Sequence, residues 1–272
     1  VVEGPEDDAR GIVAPDAGLT RFRLDRTEPS PAVGRFVAWY WVVQWDLVGQ
    51  PAHTQQVLSH PVVNVVFQDG GGIVFGVHTR MSERTLDGKG WALGVMFRPA
   101  GFSPFLDVSA RSLVDQVVPV GDVFGDAGTE LATTVDAAGP DGAPALVDHF
   151  LAERVPTEVQ PGEGVSDLIE KVAADPALLR VEDLADRAGV SPRQLQRRFA
   201  EHVGVSPKWV IRRYRLYEAA ERAARGTDVR WADLAAELGF SDQAHLTREF
   251  TRALGMPPDR YAAHCREAAS GS

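Results

Sequence analysis

Residues 183–199 read DLADRAGVSPRQLQRRF, and residues 233–250 read DLAAELGFSDQAHLTREF. Asp183, Leu184, Ala185, Gly189 and Ser191 recur fifty positions later as Asp233, Leu234, Ala235, Gly239 and Ser241. After one inserted residue the match resumes at fifty-one: Leu195, Arg197, Phe199, Gly204 and Pro207 become Leu246, Arg248, Phe250, Gly255 and Pro258. Such ordered self-similarity indicates a duplicated supersecondary unit. Each copy has a helix, a glycine turn, a capping residue and a second helix with apolar residues four apart, which is helix-turn-helix spacing.

Local signals define the helices around this repeat. Val165, Leu168, Ile169 and Val172 form an i, i+3, i+4, i+7 stripe, and Val181–Ala188 forms the next helix. Ser191-Pro192-Arg193-Gln194 is a helix start, with Ser as N-cap, Pro at N1 and Gln closing a capping box. Ser206-Pro207 starts a long helix to about Arg225, stopped by Gly226. Its twin unit places Ser241 as N-cap of a helix to Leu254, and Pro257-Pro258 opens a closing helix through Tyr261 and Cys265.

In such units the second helix enters the DNA major groove and its N-terminal residues touch base edges. With Leu195, Phe199, Leu246 and Phe250 facing inward, Arg193, Gln194, Gln196, Arg197 and Arg198 stay exposed on the first such helix. On the second the exposed set is Asp242, Gln243, His245, Arg248, Glu249 and Arg252. Arg matches guanine O6/N7 and Gln matches adenine N6/N7, each pair worth roughly 1–3 kcal/mol of discrimination. Arg198, Lys208, Arg212, Arg213 and Thr247 suit phosphates, which position without specifying. A connecting helix of about nineteen residues spans roughly 28 Å, close to one turn of B-DNA at about 34 Å. One chain would then read a bipartite, non-palindromic site on double-stranded DNA.

The net charge of −10 looks adverse for such a role until it is divided. Residues 1–160 hold 11 Lys/Arg against 21 Asp/Glu, whereas residues 161–272 hold 17 of each. Arg193, Arg197, Arg198, Lys208, Arg212, Arg213 and Arg215 face only Glu201 across 23 positions. Local field, not the whole-chain sum, decides phosphate attraction.

The block from about Val165 to His264 resembles the DNA-binding domain of the AraC/XylS family of bacterial transcription regulators. The resemblance rests on Leu184-Ala185 through Gly189-Val190-Ser191, then Leu195-Gln196-Arg197-Arg198-Phe199. Above all it rests on Gly239-Phe240-Ser241 followed by Phe250, Gly255, Pro257, Pro258 and Tyr261. Carried over by position, it implies base-reading roles for Arg193, Gln196 and Arg197 and for Gln243, Ala244 and Arg248, with His245 beside them. Ala244 departs from the polar residue often found there, and Arg193 stands where some members carry an aromatic.

The other half of the chain alternates with period two. Val37, Trp39, Trp41, Val43 and Trp45 lie on one strand face, with Phe36, Ala38, Tyr40, Val42 and Gln44 on the other. Further candidate strands are Gln55–Leu58, Val62–Gln68, Ile73–Val77 and Ala92–Arg98, with a hairpin turn at Asp69-Gly70-Gly71-Gly72. Helical candidates follow at Ser103–Leu106, Asp126–Asp136 and Pro144–Arg154. The expected fold is therefore α+β: an antiparallel β-sandwich or barrel with helices, then an all-α domain of two helix-turn-helix units joined by a long helix. Its divisions are a flexible acidic tail over 1–18, a β-rich domain over 19–154, a breaker-rich linker over 155–164, and the helical domain over 165–268.

The resemblance implies that the β-rich domain senses a signal, dimerises, or both. Many relatives carry a cupin-like barrel there, and this segment resembles divergent sensor domains with Trp-rich first strands. Trp39, Trp41 and Trp45 are candidates for an effector pocket, or for plain core, and Arg98 for an anion anchor or a salt bridge. His53, His60 and His78 have spacings of 7 and 18, which match no metal-ligand template, so no metal or cofactor is expected.

The single cysteine, Cys265, excludes an intramolecular disulfide and a thiolate zinc cluster, and with it a cysteine-based methyl acceptor. Ser59 and Ser103 lack a nucleophile-elbow context, so no enzyme activity is expected. No run of 18 apolar residues and no basic-then-apolar leader occurs, which points to the cytoplasm and away from membranes. The expectation is a sequence-specific transcription regulator, an activator by family habit. Its expected partners are promoter DNA, RNA polymerase, a small-molecule effector and a second copy of the chain. The alternative is a DNA-binding module fused to an enzymatic or small-molecule-binding β-domain.

Overall fold

The computed structural model describes residues 20–225 and 229–270. The acidic tail expected over 1–18 and the helix stop at Gly226 lie outside the described residues.

Eight strands open the described chain: β1 (Arg23–Thr27), β2 (Val37–Asp46), β3 (His53–Val57), β4 (Asn64–Gln68), β5 (Gly71–Phe75), β6 (Ser82–Leu86), β7 (Lys89–Phe97) and β8 (Val117–Pro119). Six make an antiparallel sheet in the order β1-β2-β7-β4-β5-β8, and β3 pairs with β6 as a separate ribbon. The β4–β5 hairpin closes at Asp69-Gly70, where both residues have positive φ (51° and 73°) and Gln68 pairs with Gly71. That is the two-residue turn whose twist matches the flanking strands. Strands β1 and β6 carry few apolar residues and β8 is three residues long, so none of the three shows an alternating pattern.

The sheet has two different faces. One face packs Tyr40, Val42, Phe67, Leu93, Val95 and Phe97 against the helix α1 (Gly121–Ala152) through Leu131, Val135, Val147 and Phe150. The other face and the β3–β6 ribbon enclose a cavity. A bulge between Val37 and Trp39 corrects the strand reading made from sequence. It shifts the alternation, so Val37 joins Tyr40 and Val42 in the α1-side core, while Trp39, Trp41, Val43 and Trp45 face the cavity. Helix α1 covers the sequence candidate 126–136 and all but the last two residues of 144–154, and is broken at Gly125 and Gly139, whose φ/ψ are not helical. Pro140 follows the second break, where its missing N–H costs no helical hydrogen bond.

Seven helices complete the described chain: α2 (Pro161–Ala174), α3 (Val181–Arg187), α4 (Pro192–His202), α5 (Pro207–Ala224), α6 (Trp231–Glu237), α7 (Gln243–Leu254) and α8 (Pro258–Ser270). The linker expected over 155–164 is shorter than that, because Pro161–Gly164 form the first turn of α2. Gln160 caps that turn in a box with Glu163, and Pro161 sits at N1.

Two apolar cores stand side by side. In the first, Leu184 and Ala185 of α3 and Leu195 and Phe199 of α4 pack with Ile169 of α2 and Val210 and Ile211 of α5. In the second, Leu234 and Ala235 of α6 and Leu246 and Phe250 of α7 pack with Leu216, Ala219 and Ala223 of α5 and Tyr261 of α8. Helix α5 therefore serves both cores with successive turns of one rod. Gly189 and Gly239 make the tight turns after α3 and α6 at φ of 62° and 68°, a region glycine enters without a Cβ penalty.

Candidate functional site

Helices α4 and α7 start by the same physical device with different chemistry. At α4 the Ser191 hydroxyl accepts the Gln194 N–H at 3.3 Å, and Gln194 Oε1 accepts the Ser191 N–H at 2.9 Å. Gln194 is exposed, but its side-chain oxygen is engaged by its own cap. Arg193, Gln196, Arg197 and Arg198 are exposed, and among the described residues no side-chain hydrogen bond or ion pair holds them. At α7 the expected N-cap Ser241 is replaced by Asp242, whose carboxylate accepts the His245 N–H at 2.7 Å. The inserted residue moves the cap forward by one, and a carboxylate at a helix N-terminus is favoured by the macrodipole. The backbone hydrogen bond from His245, the largest influence, holds the Asp242 carboxyl below the usual carboxylate range.

Aligned by their caps, Arg193 stands opposite Ala244, Gln196 opposite Thr247 and Arg197 opposite Arg248. Gln243, Ala244 and Arg248 are exposed. His245 is half-buried: its Nδ1 lies 3.1 Å from Ser241 Oγ, and its ring meets Phe240 edge-on at 5.4 Å. Thr247 is half-buried, and its carbonyl accepts the Thr251 hydroxyl. Glu249 bonds Arg252 at 2.9 Å and Arg212 at 3.4 Å, so the surface of α7 is charge-balanced while that of α4 is cationic.

The phosphate candidates divide. Lys208 is exposed at the start of α5, and Arg212 is half-buried against Glu249. Arg213 corrects the sequence reading: it is 3% exposed, donates to the Thr79 carbonyl at 2.7 Å, and lies over the Trp209 ring at 4.5 Å. It belongs to the α5 face turned toward the β-domain, one helical turn from Trp209 and from Tyr217. Burial pulls its pKa below the usual arginine value. Arg215 is likewise drawn inward, donating to the Leu179 carbonyl.

The cavity between sheet and ribbon has a volume of about 520 Å³ and is lined by Trp39, Trp41 and Trp45. That size lies inside the range of small-molecule pockets. Arg98 is not part of it, which corrects its grouping with the tryptophans. It leaves β7 on the helical side, where its guanidinium bonds Glu170 of α2 at 2.6 Å and the Gly34 carbonyl at 2.7 Å. Lining residues without a sequence signal of their own are Arg26, His60, His78 and Arg84. His60 both lines the cavity and stacks on Tyr217 of α5 at 4.8 Å, while the Tyr217 hydroxyl donates to the Leu58 carbonyl at 3.0 Å. His78 accompanies Thr79, the partner of Arg213. His53 lies 3.4 Å from Gln55.

Residues 184–264 match the family model described as "Helix-turn-helix domain", and residues 25–119 match one described as "Domain of unknown function (DUF6597)". The C-terminal region is an AraC-type helix-turn-helix domain. Its AraC-type sequence is 38% identical over 82 residues to "HTH-type transcriptional regulator Rv1931c" of Mycobacterium tuberculosis, covering 30% of this chain and 31% of that protein. It is 39% identical over 84 residues to a Streptomyces lividans protein described as an AraC-like transcription regulator, covering 31% of this chain and 27% of the relative. The chain thus spans about a third of the length of these curated relatives. Among solved structures, the DNA-binding domain of AdpA in complex with a target DNA shares 28% identity. It covers 42% of this chain and 100% of its own, with a TM-score of 0.34. No helix of the described residues is long and apolar enough to cross a membrane.

Proposed function

We propose that this chain is a sequence-specific transcription regulator of the cytoplasm, an activator. In this reading it binds a bipartite promoter site through α4 and α7 and is modulated through the β-domain cavity. The observation that carries the reading is the pair of capped helices with exposed N-terminal faces, joined by one helix that packs into both units. At 18 residues α5 is roughly 27 Å long, which suits adjacent major grooves. Arg193, Gln196 and Arg197 read one half-site, and Gln243, Ala244 and Arg248 read the other with His245 beside them. Arg198, Lys208, Arg212 and Thr247 meet phosphates.

Modulation follows from shared residues. The segments at His60 and His78 belong to the cavity wall, and their neighbours Leu58 and Thr79 hold Tyr217 and Arg213 of α5. An effector in the cavity therefore acts on the helix that sets the relation between the readers. RNA polymerase is the partner for activation, and two readers on one chain relieve a dimer of any geometric necessity. Selecting genomic fragments with the full chain tests the function. A shared pair of sequence blocks about one helical turn apart is expected; bound fragments with no common motif would overturn it.

A further inference from the structure

The cavity has an uncommon floor. Trp41 pairs with Gly94 and Trp45 with Gly90 across β2 and β7. A Cβ placed on Gly94 would fall 1.9 Å from Trp41 Cε2, and one on Gly90 would fall 2.5 Å from Trp45 Cζ2. Each indole therefore lies down across the glycine opposite it, occupying the space of the missing side chain. In Trp41 this leaves a flat aromatic plate in the sheet surface, beside the apolar side chains of Val66, Ile73 and Met96.

The charge of the lining is one-sided. Arg26 and Arg84 both line the cavity, and among the described residues no Asp or Glu does, although the chain holds 38 acids. Arg84 reaches from the β6 ribbon to the main sheet, with its guanidinium 4.3 Å from the centre of the Phe75 ring. It donates a hydrogen bond to the carbonyl of its neighbour Glu83, at 2.9 Å. Much of its surface is still accessible, and part of that surface faces the cavity. Crowding by its neighbours pulls its pKa down. A partly desolvated guanidinium that lines the same cavity as an aromatic plate selects a planar anion, because a carboxylate accepts two parallel N–H bonds.

We propose that the cavity binds a flat aromatic carboxylate, its ring stacked over Trp41 and its carboxylate held by Arg84. This deepens the reading of the β-domain as the sensor and rests on it. Among the described residues no carboxylate in the lining would neutralise a ligand cation, and a neutral ring would offer the guanidinium no charged acceptor.

Calorimetric titration of the full chain with 2-naphthoate, 2-naphthamide and 2-naphthylmethylammonium tests the assignment. Naphthoate should bind at least about tenfold more tightly than the amide, the discrimination expected of a charged hydrogen bond, and the ammonium should give no saturable heat. Arg84→Gln should erase the preference for naphthoate while leaving the amide unchanged, and Arg84→Lys should restore part of it. Gly94→Ala, which displaces the indole, should weaken naphthoate and amide together. Equal binding of naphthoate and amide, or a preference surviving in Arg84→Gln, overturns the anion assignment and leaves the sensor reading standing. Absence of binding by all three probes overturns the proposal, while the genomic selection judges the regulator reading separately.

Discussion

Arg197 and Lys208 carry the same charge and differ in what surrounds them. Arg197 is exposed on the N-terminal half of α4, while Lys208 is exposed at the first turn of α5. A guanidinium on a groove-facing helix specifies a base, and an ammonium beside the backbone contributes to all sequences alike. Arg197→Ala should therefore cost about 1–3 kcal/mol on the cognate first half-site and little elsewhere. Lys208→Ala should weaken every sequence and flatten the salt slope by about one unit. Gel shifts across a mutated operator measure both, and equal losses on every sequence would refute the division of roles. Asp242 tests the second reader: Asp242→Ala removes the cap of α7 and should cost about 0.5–2 kcal/mol of stability by denaturant titration.

At the scale of elements, α4 and α7 are duplicates in fold and differ in charge, the first cationic and the second balanced. Helix α4 presents Arg193, Arg197 and Arg198 against Glu201, whereas on α7 the Glu249 carboxylate already engages Arg252. Attraction to DNA should come chiefly from the first unit. Replacing Arg198 by Gln is expected to lower the salt slope by about one unit, and Arg252→Gln to leave it nearly unchanged. A larger effect at Arg252 would contradict this division.

The elements visible in the sequence were those whose pattern is local. Helices with apolar residues at i and i+4, the Asp69-Gly70 hairpin and the alternation of β2 beyond its bulge could all be read directly. Strands β1 and β6, with their charged residues, could not, because their pairing is set by partners far along the chain. The same applies to the site. The partner that decides between the two readings of Arg98 lies 72 residues away, and the one that buries Arg213 lies 134 residues away. Gly90 and Gly94 did leave a trace, since glycine inside a strand marks a close approach.

Across the whole molecule, the β-domain and the helical domain are tied by directed polar contacts. Arg35 binds Glu163 at 2.7 Å, Arg98 binds Glu170, and Ser103 Oγ meets His202 Nδ1 at 2.9 Å. His202 makes this docking pH-dependent. Burial, the largest influence, holds its pKa below 6.5, while Glu201 raises it and Arg198 lowers it. Between the lowered value and 6.5 the unfolded chain takes up more protons than the folded one. The His202 contribution is therefore complete above that range and is lost as pH falls through the folded value. Melting temperature should drop on going from about pH 7.5 to about pH 5.5, and His202→Gln should flatten that part of the profile. A profile identical in the variant would assign the drop to other groups.

The burial of Arg213 beneath Thr79 has a consequence for anyone who severs the two halves. Freed of its cover, the C-terminal half would show solvent a guanidinium that the whole chain conceals, and would shed an escort whose excess of acids repels nucleic acid. The excised piece would cling to arbitrary duplexes more readily than its parent, so its apparent gain in affinity would measure lost shielding rather than improved reading.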